Sequence, residues 1–208
     1  MTLRLAGSTS GYTEIDAPAV AGSNTLVLPT GNGSADQALV TNGSGTLSFA
    51  DRGRIVQGTA QNSTSGTSID FTSIPSWVKR VTVMFDGVST NGTSDIMIQL
   101  GDSGGIEITG YTSCCNHFST GPAPSTSTAG FLVLEEAVAA GLASGHCIIT
   151  NISSNTWIQS STMTDTQPAS AIAAGTKTLS ATLTQLRITT VNGTDTFDAG
   201  SINILYEG

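Results

Sequence analysis

Positive charge is scarce in this chain. Of its 208 residues only seven are Lys or Arg, whereas fifteen are Asp or Glu, so the net charge at pH 7 is −8. Proteins that bind nucleic acids use basic patches that displace counterions from phosphates, and here the few cations are spread along the whole sequence. An anionic membrane surface would repel the chain as well. We therefore expect no nucleic-acid partner.

Long apolar runs are missing too. A transmembrane helix needs about 18 or more consecutive apolar residues, and the sequence has no such stretch. The N-terminal residues Met1–Ala6 lack the apolar run of a secretory signal. We therefore expect synthesis in a cytoplasm and no membrane insertion. Three cysteines, an odd number, predict no disulfide framework.

What the chain does have is Ser, Thr and Gly. Ser and Thr together make up more than a quarter of the residues, and 24 are Gly. Thr, Val and Ile are common, and β-branched side chains fit a pleated, half-buried surface. Roughly nine or ten short segments, separated by Gly and Asn turns, favour an all-β, jelly-roll-like antiparallel β-sandwich.

Individual segments show the periodicity of strands. Val81, Val83 and Phe85 fall on one face at a period of two. We expect Ser119–Thr128 to form a projecting loop and Glu135–Leu142 to form a helix or a loop. A turn or a bulge is predicted inside 177–191. Strands are predicted at Ile55–Ala60, Ser68–Phe71, Val78–Phe85, Asp95–Leu100, Ile106–Tyr111, Phe131–Leu134, Cys147–Thr150, Thr156–Ser160 and Ser201–Tyr206.

A domain boundary is predicted near Asp51–Arg54. Before it, short apolar clusters alternate with Gly, Ser, Asn and Pro, and no cluster is long enough to build a core alone. Such a segment is either a flexible linker or a segment that buries its apolar residues against a partner. We therefore divide the chain into an extended N-terminal arm, residues 1–52, and a β-sandwich tip, residues 53–208.

Two parts of the chain resemble tail fibre and related virion proteins of tailed bacteriophages. The arm resembles their N-terminal repeat in five short segments, which are Gly7–Tyr12, Ile15–Val20, Asn24–Thr30, Gly33–Leu39 and Asn42–Phe49. The run Leu186–Tyr206, which contains Phe-Asp-Ala-Gly-Ser-Ile-Asn-Ile, resembles the closing segment of phage fibre-type domains. Pro75–Phe85 and the strand at Asn155–Trp157 are similar to the same group.

The resemblance implies a structural component of a virion, made in the cytoplasm of the bacterial host. In such proteins the N-terminal part fixes the fibre to the tail or baseplate, and the C-terminal β domain meets the host surface. They are usually homotrimers, so three chains are implied here. Apolar residues of the arm are then expected to be buried between symmetry-related copies; they are Leu26, Val27, Leu28, Leu39, Val40, Leu47 and Phe49.

Five residues form a metal-like cluster in the sequence: Cys114, Cys115, His117, His146 and Cys147. Zinc sites usually have four ligands, and adjacent cysteines do not both point comfortably at one ion. Two hairpins, or three copies around a trimer axis, would have to bring these side chains together. The alternative is that the cysteines are small core and strand-end residues. We predict no metal and no cofactor, with the cluster left as the open alternative.

Catalytic signatures are weak. The one Gly-x-Ser-x-Gly match, Gly101–Gly105, is predicted as a turn between two strands and not as the strand-to-helix elbow that carries a nucleophile. Paired carboxylates of a polysaccharide hydrolase would have to come from acidic residues of the tip, and adjacent Glu135 and Glu136 have the character of a solvated pair. We predict no enzyme activity, and a hydrolase stays the less favoured alternative. The acidic candidates are Glu107, Glu135, Glu136, Asp165 and Asp198.

Adhesion to a glycan of the host surface is the function that remains. Sugars stack on exposed aromatic side chains and hydrogen-bond to Asn, Asp and Ser. The candidate receptor-binding residues are Tyr111, His117, Phe118, Ser119 and Thr120, with burial of Tyr111 and Phe118 in the core as the alternative. A capsid decoration or fibre protein bound to the phage head would share the arm and the sandwich, and it is the rival function.

Overall fold

The computed structural model describes residues 3–20, 22–35, 37–51, 53–118, 122–135, 138–139, 141–166 and 169–208. Within them the chain is all β, with antiparallel sheets and no helix, so the predicted fold class is confirmed. It divides into two compact units, Met1–Arg52 (unit 1) and Gly53–Gly208 (unit 2). The strands are β1 Leu3–Ala6, β2 Tyr12–Ile15, β3 Gln37–Thr41, β4 Leu47–Asp51, β5 Ile55–Gln57, β6 Gln61–Asn62, β7 Ser68–Phe71, β8 Arg80–Thr90, β9 Ile96–Asp102, β10 Gly105–Ile106, β11 Tyr111–Phe118, β12 Pro122–Ser127, β13 Phe131–Leu134, β14 Ala143–Ser153, β15 Thr156–Asp165, β16 Ala169–Thr178, β17 Gln185–Thr190 and β18 Phe197–Glu207.

Unit 1 contains two hairpins, β1 with β2 and β3 with β4, where the sequence predicted an extended arm. The second hairpin turns through Gly43 and Gly45, which both have positive φ, a conformation that glycine adopts without steric cost. The side-chain oxygen Oδ1 of Asn42 accepts the backbone N–H of Ser44 at 2.8 Å and that of Thr46 at 3.2 Å. The Gly, Ser and Asn residues between apolar clusters therefore form a turn that pairs the clusters.

The apolar residues assigned to inter-chain burial lie open to solvent in the single chain. Leu28 is 70% exposed and Leu26 is 65% exposed. Val27 and Leu39 are also exposed, whereas the side chains of Val40, Leu47 and Phe49 are half-buried. None of the described residues of unit 1 is a buried hydrophobic residue. Unit 1 thus has no hydrophobic core of its own over the residues described.

Unit 2 contains two sheets that share one hydrophobic cluster, as in a β-sandwich. The larger sheet has nine strands in the order β12-β11-β16-β15-β14-β8-β18-β5, with β6 also paired to β18. The smaller sheet has five strands in the order β10-β9-β17-β7, with β13 also paired to β9. The jelly-roll connectivity and the trimer stay predictions.

Strict alternation along the strands of the larger sheet separates its two faces. In β15 and β16 buried residues alternate with exposed ones over nearly their whole length. The inward side of β16 carries Ala171, Ala173 and Gly175, and a Cβ atom on Gly175 would lie 2.8 Å from the Phe131 ring. Small residues on β16 therefore make room for β13, which is buried along its whole length. The outward residues form the other face of the sheet.

The contact between the two sheets is polar as well as apolar. The ring of Tyr111, on β11, packs edge-on against Phe131 with the centroids 5.1 Å apart. Its hydroxyl accepts the backbone N–H of Leu100, on β9, at 2.7 Å and donates to the carbonyl of Glu107 at 2.9 Å. Burial raises the pKa of Tyr111, so the hydroxyl stays neutral and keeps its proton for this bond.

Several predicted strands are confirmed. Ser68–Phe71 and Phe131–Leu134 have the predicted bounds. The strands predicted at Cys147–Thr150 and Thr156–Ser160 are present but longer, and they pair with each other as a hairpin. The turn predicted inside 177–191 is also present, because β16 ends at Thr178 and β17 begins at Gln185.

Two local predictions are wrong, and a third is decided between its alternatives. Within the predicted loop Ser119–Thr128, residues 122–127 form β12, where proline is tolerated because the strand lies at the sheet edge. Ile106–Tyr111 is not one strand, since the chain turns at Gly110, with positive φ, and Tyr111 begins a strand of the other sheet. Of the helix or loop predicted at Glu135–Leu142, the described residues form a loop, and 136, 137 and 140 lie outside the described residues.

Candidate binding site

The structure separates the predicted receptor-binding residues. Tyr111 is only 2% exposed and His117 only 4%, because odd-numbered residues of β11 face the core. Phe118 lies on the opposite side of the strand and is 46% exposed. Ser119 and Thr120 lie outside the described residues. Tyr111 and His117 are therefore too buried to contribute to a surface site of this chain. Among the predicted receptor-binding residues that the structure describes, Phe118 is exposed to solvent.

A groove runs along the outer face of β12, β11 and β16, on the side of β11 that carries Phe118. Its volume is about 770 Å³. A smaller concavity of about 240 Å³, lined by Asn116 and Ile172, shares Cys114 and Ala174 with it. Side chains on the outer face that line the groove are Thr112, Cys114, Thr126, Ala174 and Thr176, with Thr128 at its end.

The register explains why these residues meet. Cys114 on β11 lies opposite Thr126 on β12 and opposite Ala174 on β16, and Thr112 lies opposite Thr176. Facing residues on neighbouring strands are about 5 Å apart, so the small Ala174 side chain lies between Cys114 of β11 and Ser160 of β15, with threonine hydroxyls further along the groove. None of the described residues lining the groove is charged. Sequence reasoning missed β16, since its Ala and Thr residues carry no chemical motif.

Asn116 supplies a free acceptor beside the groove. Its side-chain oxygen Oδ1 is enclosed and has no hydrogen-bond partner among the described residues. On either side lie Pro124 of β12 and Ile172 of β16, and proline has no backbone N–H to offer. An enclosed acceptor without a donor is costly, and a ligand hydroxyl would reach this oxygen only if the side chain moved towards the groove.

Glu135 fixes the position of the two strands beside the groove. Its carboxylate is buried, with Oε1 accepting the backbone N–H of His117 at 3.0 Å and Oε2 accepting that of Ser125 at 2.6 Å. The predicted role of Glu135 in a solvated acidic pair is therefore wrong, because both of its oxygens bind backbone N–H groups inside the fold.

The metal-like residues of the sequence point in different directions. Cys115 and Cys147 are buried, and burial raises the pKa of each thiol to about 12. Cys114 is exposed on the outer face, as is His146. The described residues contain no group of three or more His, Cys, Asp or Glu that could hold an ion.

One pair of carboxylates does meet in unit 2. The hydroxyl Oγ of Ser180 lies 2.7 Å from both Asp102 Oδ2 and Glu107 Oε1. Hydrogen bonds from Ser180 and from the N–H of Gly104 outweigh desolvation and hold the pKa of Asp102 below its usual value. Burial acts to raise the pKa of Glu107, but hydrogen bonds from Lys177 and Ser180 outweigh it and lower that pKa as well.

This ionised pair lacks a general acid for glycoside hydrolysis, which requires one carboxyl with a raised pKa. Of the other acidic candidates, Asp198 Oδ1 is hydrogen-bonded to the Ser89 hydroxyl, and Asp165 is a buried residue at the end of β15. Glu136 lies outside the described residues. The groove described above has no carboxylate among its described lining residues.

No helix capable of crossing a membrane occurs in the part of the chain that the structure describes. Comparisons of the chain with protein-family models, with curated proteins and with solved structures give no match.

Proposed function

We propose that this chain is a structural protein of a tailed-bacteriophage virion, a tail fibre that binds a glycan on the host cell surface. Unit 1 attaches the protein to the tail, and three copies assemble into one fibre. The groove on the outer face of β12, β11 and β16 takes the glycan. The protein works by adhesion and carries out no covalent chemistry.

The observation that carries the binding role is the chemistry of the groove. It is open and uncharged, and its described lining offers hydroxyl groups from Thr112, Thr126 and Thr176. Sugars present hydroxyl groups of their own, which donate to and accept from such side chains. Phe118, exposed on the same side of β11, supplies an apolar surface of the kind on which a sugar ring stacks. Each contact is weak, so repetition on three chains would raise the avidity.

Support for the virion location comes from the sequence and from unit 1. Sequence segments of the arm and the run Leu186–Tyr206, at the two ends of the chain, resemble those of phage fibre-type proteins. Leu26, Leu28 and the other exposed apolar residues of unit 1 are surfaces that a neighbouring copy or a tail protein would cover.

Two measurements on phage particles test this proposal. Purified protein added to host cells should occupy the receptor and reduce phage adsorption in proportion to its concentration. Gold-labelled antibodies against unit 2 should mark the tails of intact particles. Gold on the heads would support the rival capsid protein, and undiminished adsorption at saturating protein would contradict the receptor-binding role.

A further inference from the structure

Three of the five cations in unit 2 gather at one place. Lys177 and Arg187 are each held in an ion pair with a carboxylate of the same unit. The other three line a single cavity of about 420 Å³ at one end of the larger sheet: Arg54, Lys79 and Arg80. In an acidic chain with few cations, this clustering concentrates positive charge at one site.

The described lining of the cavity contains more cationic than acidic side chains. Glu207 is the one acidic side chain among its described lining residues, and its Oε2 lies 3.1 Å from Arg80 Nη1. The Arg80 side chain is still 47% exposed, and Lys79 has no ion-pair partner among the described residues. Lys and Arg in such a site attract carboxylates and phosphates.

The cavity and the groove lie on the same face of the larger sheet. One transverse row of facing residues connects them: Thr112 on β11, Thr176 on β16, Ile158 on β15, Thr150 on β14 and Arg80 on β8. Every member of this row points outward. Thr176 lines the groove, whereas Thr150 and Arg80 line the cavity. Three strand spacings separate Thr176 from Arg80, a distance of about 14 Å.

We propose that this face binds one extended glycan that carries an oxyanion, with neutral sugar units in the groove and the anionic group in the cavity. Ile158, exposed between the two sites, provides the apolar surface that the chain of sugars crosses. The inference rests on the glycan-binding function proposed above. The oxyanion is a carboxylate or a phosphate, since both are bound by the same Arg and Lys chemistry.

Matched polysaccharides test the inference. Surface polysaccharides from a panel of bacteria are each offered to the full-length protein in native, carboxyl-reduced and dephosphorylated form, and affinity is measured by biolayer interferometry. We expect the best native ligand to lose at least about tenfold in affinity, or about 1.4 kcal/mol, after one of the two treatments. The treatment that weakens binding identifies the oxyanion.

Variants of the cavity should reproduce this loss. Arg80→Gln and Lys79→Gln should each weaken binding of the native ligand and leave binding of the treated ligand unchanged. Of the two, Lys79→Gln breaks no ion pair among the described residues. Glu207→Gln should strengthen binding, because it removes the carboxylate that competes for Arg80. Arg187→Gln makes the same change of charge on the smaller sheet and serves as the control, with unchanged affinity.

The possible failures are distinguishable. Equal affinity for native and treated polysaccharide, or unchanged affinity in folded Lys79→Gln, would overturn the oxyanion site and leave the glycan function standing. Absence of binding to every polymer in the panel would overturn the proposed function, and this inference with it.

Discussion

The carboxylate of Glu135 accepts the backbone N–H of Ser125 at 2.6 Å. Its second oxygen accepts the backbone N–H of His117 at 3.0 Å, so one buried side chain holds β11 and β12 on either side of residues 119–121. These two strands form one wall of the groove, and Glu135 therefore couples the stability of unit 2 to the shape of its proposed binding site.

Glu135→Ala should destabilise unit 2. The substitution leaves two backbone N–H groups without an acceptor, and each unsatisfied group costs about 1–3 kcal/mol. Urea unfolding followed by tryptophan emission measures the effect, because Trp77 and Trp157 both lie in unit 2. Glu14→Ala, at an exposed residue of unit 1, is the control. A change below about 0.5 kcal/mol in Glu135→Ala would show that these bonds contribute little.

Acid should destabilise the protein through Asp102 and Glu107. Both carboxyls have a pKa below the usual values of 3.8 and 4.5, so both stabilise the fold when ionised. This contribution is complete above those usual values, and it is lost as the pH falls through the lowered pKa values of the folded state. Melting temperature measured between about pH 7 and pH 2 should therefore fall mainly below about pH 4.

Ser180→Ala should shift this acid transition to higher pH. The Ser180 hydroxyl lies within hydrogen-bond distance of both carboxylates, and its removal raises both pKa values towards their usual range. Ser65→Ala, at an exposed residue between β6 and β7, is the matched control. An unchanged midpoint of acid unfolding in Ser180→Ala would contradict the role given to the hydroxyl.

If three chains assemble through unit 1, removing unit 1 should change the oligomeric state. The full chain should sediment with the mass of three copies, and a fragment comprising Gly53–Gly208 should sediment as one. The reason is that the exposed apolar residues of unit 1, such as Leu26 and Leu28, are absent from the fragment. A fragment that stays trimeric would assign assembly to the sandwich.

Cys114 gives a chemical probe of the groove. Its side chain is exposed there, whereas Cys115 and Cys147 are buried and their pKa values are raised to about 12. N-ethylmaleimide should therefore modify one thiol per folded chain, since the thiolate is the reactive form. Mass spectrometry checks the site. The modified protein should lose glycan binding, and Cys114→Ser should bind normally after the same treatment; unimpaired binding by the modified protein would count against the groove.

The sequence predicts the strands better than the site. The period-two pattern at Val81, Val83 and Phe85 identifies a strand, since burial on one face alone produces it. The sequence leaves the burial of Tyr111 open and predicts His117 at the surface, because Cys114, Cys115 and Asn116 show no clear alternation that would reveal which residues of β11 face the core. The burial of Tyr111 is set by the opposite sheet, through Phe131 and Leu100.

Pairing between distant strands explains the rest of what sequence reasoning missed. The groove depends on β16 lying beside β11. The row that leads to Arg80 depends on β11 and β8 lying on either side of the consecutive strands β14, β15 and β16. Strand order is a long-range property, and the Gly and Asn turns that divide the sequence specify neighbours in sequence rather than neighbours in the sheet.

Filling the groove with a large side chain tests whether the glycan binds there. Ala174 lies at its centre, between Cys114 of β11 and Ser160 of β15. We predict that Ala174→Trp reduces affinity for the best surface polysaccharide of the panel at least about tenfold. Ala60→Trp, at an exposed residue outside the groove, should bind as the unmodified protein does. Equal affinity in folded Ala174→Trp would contradict the account.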